Sequence, residues 1–91
     1  MTNRMNENEV EKVVGGGYWD NGVYWRNAWP EIQSGYLALR NYPAWDDSNE
    51  IAQINQGEWF VVNTDRWSGD FVWARYCGME GWVNSNYCGW E

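Results

Sequence analysis

Aromatic and acidic side chains occur together in two polar stretches of this sequence. Residues 41–49 contain Tyr42, Trp45, Asp46 and Asp47, and residues 64–70 contain Asp65 and Trp67. Tryptophan in a polar loop has little to pack against, so for Trp45 and Trp67 recognition is a stronger prediction than packing. For the carboxylates, a solvated loop is the simplest interpretation. The functional interpretation is selection of a cationic group, such as Lys or Arg of a peptide ligand.

The sequence offers little for catalysis. It contains no histidine, which removes the commonest general base and the commonest metal ligand. Cys77, Cys88, Ser68 and Ser85 therefore lack a base for nucleophilic chemistry. The acidic run 46–50 has calcium-type ligands but not the order of an EF-hand loop. We predict a non-enzymatic protein without a cofactor or a metal.

Net charge restricts the classes of partner. The 91 residues include 6 basic and 13 acidic side chains, giving a net charge of −7 and a pI near 4.3. Binding to nucleic acid through its phosphates needs Lys and Arg, so this composition argues against DNA or RNA as a ligand. It argues equally against an anionic membrane surface. Cationic partners, or a protein that itself binds nucleic acid, suit the charge.

Aromatic residues are too numerous to be core alone. The chain has 9 Trp, 6 Tyr and 2 Phe, and a domain of this size has one thin core. Tyr36, Phe60, Trp82 and some tryptophans near residue 20 are predicted to be core residues. Period-2 alternation from residue 71 places Val72 and Ala74 on the core side, with Phe71 and Trp73 on the outer side. Together with Tyr87, these two are further candidates for a binding surface.

The elements that would position these residues are short strands. The polar, acidic stretch 1–14 is predicted to be a mobile tail, and 15–91 a single domain. Asn21-Gly22 between aromatic residues predicts a β-hairpin over 18–29, because both positions tolerate the positive φ of a type I′ turn. Short strands follow, separated by loops at 41–49 and 64–70 and by a turn at 78–81. The expected fold is all-β: a small barrel of five to six short strands.

Several motifs, taken in order, resemble the bacterial SH3-like (SH3b) domain family. The segment 37–43, Leu-Ala-Leu-Arg-Asn-Tyr-Pro, resembles its L-x-V-R-x-x-P opening, and 71–83 resembles its W-x-x-V…G…G-W-V block. Ser85-Asn86-Tyr87 matches the S-N-Y ending shared with eukaryotic SH3 domains. Phe71 stands where the family has Trp, and Asn84 where eukaryotic SH3 domains have Pro. The resemblance covers 35–88 and implies an SH3-like barrel that binds peptides, often those of the cell wall.

These observations predict a binding module with an extended peptide, or a cell-wall peptide, lying in a groove between the 42–49 and 64–70 loops. The alternative is a small acidic inhibitor, encoded by a phage or mobile element, that binds a host nucleic-acid-binding protein such as a CRISPR nuclease. We expect a monomer or a weak homodimer, with free thiols ahead of a disulfide. If Met1 is the natural start, a cytoplasmic location is expected, since no signal peptide is present. A domain from a larger parent would belong to the cell wall or be secreted.

Overall fold

The computed structural model describes residues 17–91, so the predicted tail at 1–14 lies outside the described residues. Within them the all-β class is confirmed, but the strand number is eight, more than the five to six expected. The strands are β1 (Tyr18–Asp20), β2 (Val23–Pro30), β3 (Tyr36–Arg40), β4 (Glu50–Asn55), β5 (Phe60–Ser68), β6 (Phe71–Tyr76), β7 (Met79–Asn84) and β8 (Cys88–Trp90). Two single 3₁₀ turns, Asp47–Asn49 and Ser85–Tyr87, precede β4 and β8.

All pairings are antiparallel, in the order β1-β2-β5-β6-β7-β3-β4. Strand β8 lies off this path and pairs with β2, the strand that β1 also joins. The first half of β2 pairs with β1 and the second half with β8. The last strand of the chain therefore returns to one of the first, at the β1 end of an open sheet.

The predicted hairpin at Asn21-Gly22 is confirmed. Both residues have positive φ, 53° and 80°, as a type I′ turn requires. A second turn of the same kind joins β6 to β7 at Cys77-Gly78, with φ values of 50° and 80°. The predicted turn at 78–81 is therefore displaced, and Gly81 lies inside β7. Glycine at position 81 allows the two strands to approach closely, because a Cβ there would clash with the backbone carbonyl of Arg40.

The core is filled by aliphatic side chains on the inner face of the sheet. Its largest fully buried aliphatic members are Leu39, Ile54, Val62, Val72 and Val83. Val72, Ala74 and Phe60 are buried there, as predicted. Tyr36 is not a core residue, because its side chain is 39% exposed, and Trp82 is only half-buried. Of the rings predicted as core residues, Phe60 lies in the core and Trp25 is buried, while aliphatic residues fill most of the remaining space.

An irregularity in β5 changes which way its second half faces. Asn63 pairs with Trp73, but the next pair is Trp67 with Val72, so residues 64–66 have no partner in β6. This large bulge bends the strand and shifts its alternation. The predicted loop at 64–70 is thus mostly strand, with only Gly69-Asp70 as the turn. Trp67 pairs with Val72, a core residue, so it lies on the side of the strand away from the outer face.

Candidate functional site

The outer face of the sheet carries a row of large side chains. The strand pairings place five side chains side by side across the sheet. In order they are Trp25 (β2), Asn63 (β5), Trp73 (β6), Trp82 (β7) and Arg40 (β3). Residues paired across antiparallel strands share a face, so this row crosses the sheet on one side. The rings of Trp73 and Trp82 meet edge to face at 5.1 Å between centroids. One side of the sheet is therefore aliphatic and buried, and the other is aromatic.

Trp45 caps this outer face. Its ring meets Phe71 at 5.6 Å and Tyr87 at 5.9 Å, both edge to face, and the Arg40 guanidinium lies 4.9 Å from its centroid. Trp45 nevertheless stays 63% exposed, whereas Phe71 beneath it is only 7% exposed. Phe71 is thus on the predicted side of β6, but the prediction that it is an exposed contact is wrong, because Trp45 covers it.

A network of hydrogen bonds holds the loop that carries Trp45. Arg40, itself buried, donates from Nη1 to the Asp46 carbonyl (2.9 Å) and to Asn49 Oδ1 (3.0 Å). The Asn49 amide donates to the carbonyls of Tyr42 and Ala44. Because these contacts fix the backbone at several points, Trp45 is presented on a preorganised loop, which lowers the entropy cost of binding.

Asp46 is used inside this loop. Its Oδ1 accepts hydrogen bonds from the backbone N–H and the hydroxyl of Ser48, at 2.9 and 2.8 Å. These bonds to the charged form hold the pKa of Asp46 below its usual value, the backbone bond contributing most. Asp46 therefore remains ionised beside Asp47, which opens the 3₁₀ turn. Both carboxylates belong to the Trp45 loop, although neither lines the groove described next.

A groove of about 530 Å³ lies beside Trp45, on the outer side of β3. Its walls are the segment between β2 and β3, the outward residues of β3, Trp45 and the 3₁₀ turn before β8. The lining residues are Glu31, Ile32, Gln33, Ser34, Tyr36, Leu37, Ala38, Arg40, Trp45, Asn84, Asn86 and Tyr87. This volume is in the range of small-molecule and peptide pockets. The mixture of rings, amides and one carboxylate suits a ligand with apolar and polar groups in alternation.

Tyr36 also lines the groove and is held in place. Its hydroxyl donates to Glu50 Oε1 at 2.7 Å, and Glu50 Oε2 lies 3.7 Å from Arg40 Nη2. The bond to the carboxylate raises the pKa of Tyr36, because ionisation would place two negative charges together. Arg40 thus connects the two rings, stacking on Trp45 and pairing with the carboxylate that holds Tyr36.

Charge at the groove is negative. Among its lining residues Glu31 is the carboxylate, and its Oε2 accepts from Trp29 Nε1 at 3.0 Å. Arg40 is the cation among them, but its guanidinium is buried and already bonded. Among its lining residues the groove therefore offers a ligand one carboxylate and no free cation, which favours a ligand with a positive charge.

The predicted site residues divide into groups. The structure brings together Trp45, Phe71 and Tyr87, with Tyr42, Asp46 and Asp47 in the same loop region. Trp67 lies elsewhere: its ring meets Trp90 at 5.8 Å, and its Nε1 donates to the Thr64 carbonyl at 2.8 Å. Asp65 lies in the β5 bulge. Trp73 is on the outer face under Arg66, whose Cζ is 3.8 Å from the ring centroid.

Sequence reasoning missed the β3 side of the groove. Tyr36 was assigned to the core, and Glu31 and Arg40 to no site. A signal was present in the pattern, since alternation in Tyr36–Arg40 places residues 36, 38 and 40 on one face. The groove consequently lies between β3, residues 31–34 and the Ser85–Tyr87 turn, and the two predicted loops do not face one another across it.

The remaining reactive groups lie apart from the groove. Cys77 is exposed in the β6–β7 turn, whereas Cys88 is buried, and burial raises its pKa to about 12. Within residues 17–91 no three carboxylate or thiol side chains are grouped as ligands for a metal ion. The same part of the chain contains no helix with the length and apolar character needed to cross a membrane. No protein-family model, curated protein or solved structure matches this chain.

Proposed function

We propose that this protein is a non-enzymatic binding module that recognises an extended peptide in the groove beside Trp45. The observation that carries the proposal is that Trp45 is 63% exposed and yet held by three ring or guanidinium contacts. Large rings kept rigid and accessible are typical of binding hot spots, because little entropy is lost when they become buried.

The groove suits a peptide in an extended conformation. Trp45 and Tyr87 provide an apolar platform for one side chain, while Gln33, Ser34 and Asn86 provide amide and hydroxyl groups for the peptide backbone. Glu31 provides the charge that selects Lys or Arg. The proposal requires no proton transfer and no bond cleavage by any of these groups. The proposed activity is binding alone.

The pairing of the last strand with β2 supports the finer assignment of the fold as an SH3-like barrel. Strand β8 follows the Ser85–Tyr87 turn and pairs with β2 from Pro30↔Cys88 to Ala28↔Trp90. This strand covers the half of the β2 edge that β1 leaves unpaired, and brings the end of the chain back beside its first long strand, as in small barrels. The assignment would also account for a groove bordered by Tyr87, the last residue of the S-N-Y motif.

The test is selection from a displayed library of random nine-residue peptides, repeated with two variants. Trp45→Ala removes the platform, and Trp19→Ala removes a ring of the β1–β2 hairpin that is at least as exposed, as the matched control. We expect selected peptides with a basic residue near an apolar one, and an affinity about tenfold weaker for Trp45→Ala alone. A selection that returns no peptide, or only peptides indifferent to Trp45→Ala, would refute the proposal.

A second measurement distinguishes a wall peptide from a soluble one. The protein is sedimented with isolated bacterial sacculi at moderate salt, with and without an excess of a selected peptide. Pelleting that the peptide abolishes identifies the wall as the source of the ligand. Absence of pelleting, with peptide binding intact, identifies a protein partner.

One observation favours the acidic inhibitor as a second candidate. Every arginine in residues 17–91 is already engaged: Arg26 and Arg66 lie over rings, Arg40 is buried, and Arg75 pairs with two carboxylates. The acidic side chains therefore dominate the surface, and could imitate the phosphates of a nucleic acid.

The inhibitor is tested by capture on the immobilised protein. A bacterial nucleic-acid-binding protein is expected to be retained from lysate and released by a duplex DNA fragment at constant salt. Capture should be equal for Trp45→Ala, because charge and not the groove would act. A captured protein that DNA does not release would refute this candidate.

A further inference from the structure

A second pocket opens on the same outer face, at the other end of β6. It has a volume of about 310 Å³ and is lined by Tyr18, Asn27, Trp59, Phe60, Val61, Arg75, Tyr76, Cys77 and Gly78. Trp59 is its most accessible ring: it is 58% exposed and is held by an edge-to-face contact with Trp29 at 5.2 Å. Like Trp45, it is a rigid ring that folding leaves uncovered.

The outward residues of β6 connect this pocket to the groove. Phe71, Trp73 and Arg75 alternate along one side of the strand. Phe71 lies against Trp45, which lines the groove, and Arg75 lines the second pocket. Six residue steps separate Phe71 from Cys77, which is about 20 Å along a strand. Both binding features are thus within reach of one extended chain.

The surface between them consists of two rings with a guanidinium over them. Arg66, from the β5 bulge, lies 3.8 Å from the centroid of Trp73 and 5.4 Å from that of Trp82. A guanidinium stacked on a ring keeps its plane parallel to the surface and offers further stacking and hydrogen bonding.

The far end is also negative. Arg75 Nη1 lies 3.0 Å from Asp20, and its Nη2 lies 3.0 Å from Glu80. Two carboxylates facing one guanidinium leave an excess of negative charge, and their side chains are 50% and 41% exposed. Glu31, which also lines the groove, adds a third carboxylate near this end, because its Oε2 accepts from Trp29, whose ring packs on Trp59. The Trp59 end of the outer face therefore attracts a basic group.

We propose that the groove and the second pocket are two ends of one binding track, which takes an extended peptide of about seven residues with a basic side chain at its Trp59 end. The inference rests on the proposed function, because it lengthens the same site. Trp45 anchors one end of the peptide and Trp59 the other, and Trp73 with Arg66 forms the surface between them.

The experiment compares a selected nine-residue peptide with its shortest truncation that still binds. We expect Trp59→Ala to weaken binding of the nine-residue peptide about tenfold and to leave the short peptide unchanged. Trp45→Ala should weaken both, and Trp19→Ala neither. The indole N–H resonance of Trp59 should shift with the long peptide only.

Two outcomes would overturn the track. If Trp59→Ala leaves the long peptide unaffected, the ligand is confined to the groove, and the proposed function stands without the track. If Trp59→Ala weakens both peptides equally, Trp59 acts through the fold and not as a contact. Failure of the proposed function is a separate result, in which Trp45→Ala changes the affinity of no peptide.

Discussion

The two faces of one sheet are built from different kinds of side chain. The inner face consists mainly of Leu, Ile, Val and Ala, and its largest members are fully buried. The outer face has Trp25, Trp73 and Trp82, with Arg66 and Arg75 stacked on them. The aliphatic side chains of the inner face pack against one another. The rings of the outer face pack against cations and carboxylates.

This difference separates stability from recognition. Aliphatic burial contributes about 25 cal/mol for each Å² removed from water and requires no partner of defined geometry. Ring–guanidinium contacts contribute less, about 0.5–1 kcal/mol at exposed sites, but they keep large flat surfaces accessible. A small chain that placed its rings inside would have little left for binding. The inner face stabilises the fold, and the outer face remains available to a ligand.

The largest effect is expected from the inner face. Leu39→Ala removes a fully buried side chain of β3 and should lower the free energy of unfolding by about 2–5 kcal/mol, since the cavity cannot collapse completely. Trp59→Ala on the outer face, a larger truncation, should cost less than about 1.5 kcal/mol. Urea denaturation of both variants checks the order. Equal losses would mean that the outer face is as important to stability as the core.

A close approach of two strands predicts the next effect. The Cβ of Gly81→Ala would meet the Arg40 backbone carbonyl, which cannot rotate away, and about 1–3 kcal/mol of stability should be lost. Gly89→Ala is the comparison, because there the nearest atom is the Glu31 carboxylate at 2.7 Å, the end of a flexible side chain, although the Trp29 ring lies close behind. The melting temperature of Gly81→Ala should be lower than that of Gly89→Ala. The reverse order would contradict the close packing of β3 against β7.

The outer face should show a smaller, specific coupling. In a double-mutant cycle of Arg66→Ala and Trp73→Ala, we expect an interaction energy of about 0.5–1 kcal/mol from the stacked pair. Arg26→Ala combined with Trp73→Ala is the control, since Arg26 lies over Tyr24 instead. Additive losses in the first cycle would show that the stack contributes nothing to stability.

Local patterns were sufficient to predict much of the fold. Asn21-Gly22 identifies its hairpin because few residues accept positive φ at two successive positions. Alternation assigns Val72 and Ala74 to the core because each β-strand has only two faces. The loop carrying Trp45 was also recognised, from a ring among polar residues. In these cases the deciding interaction lies within a few residues along the chain.

The remainder depends on contacts between distant residues. Nothing in the sequence marks the bulge at residues 64–66, yet it moves Trp67 off the outer face and brings Arg66 over Trp73. Nor does the sequence show that Trp45 covers Phe71, 26 positions later. The β3 wall was missed because Tyr36 was weighed as a hydrophobic residue, whereas its hydroxyl bond to Glu50 holds it at the surface.

The last effect is a pH dependence beside the second pocket. Tyr76 donates its hydroxyl proton to Glu58 Oε1 at 2.8 Å, and this bond raises the pKa of Tyr76 to about 12. The unfolded value is near 10, so the contribution of Tyr76 to stability is fully present below pH 10 and is lost as the pH rises toward 12. The pKa of Glu58 is lowered, first by the Asn55 N–H and then by Tyr76, so its contribution is lost at acid pH instead.

Tyr76→Phe isolates this contribution. The buried thiol of Cys88 also has a raised pKa and titrates in the same alkaline range, so the stability of the wild type alone is not diagnostic. The difference in unfolding free energy between wild type and Tyr76→Phe cancels that thiol. It should be constant from neutral pH to about pH 10 and should shrink above it. A difference that does not change with pH would mean that the Tyr76–Glu58 bond is absent in solution, and with it this edge of the second pocket.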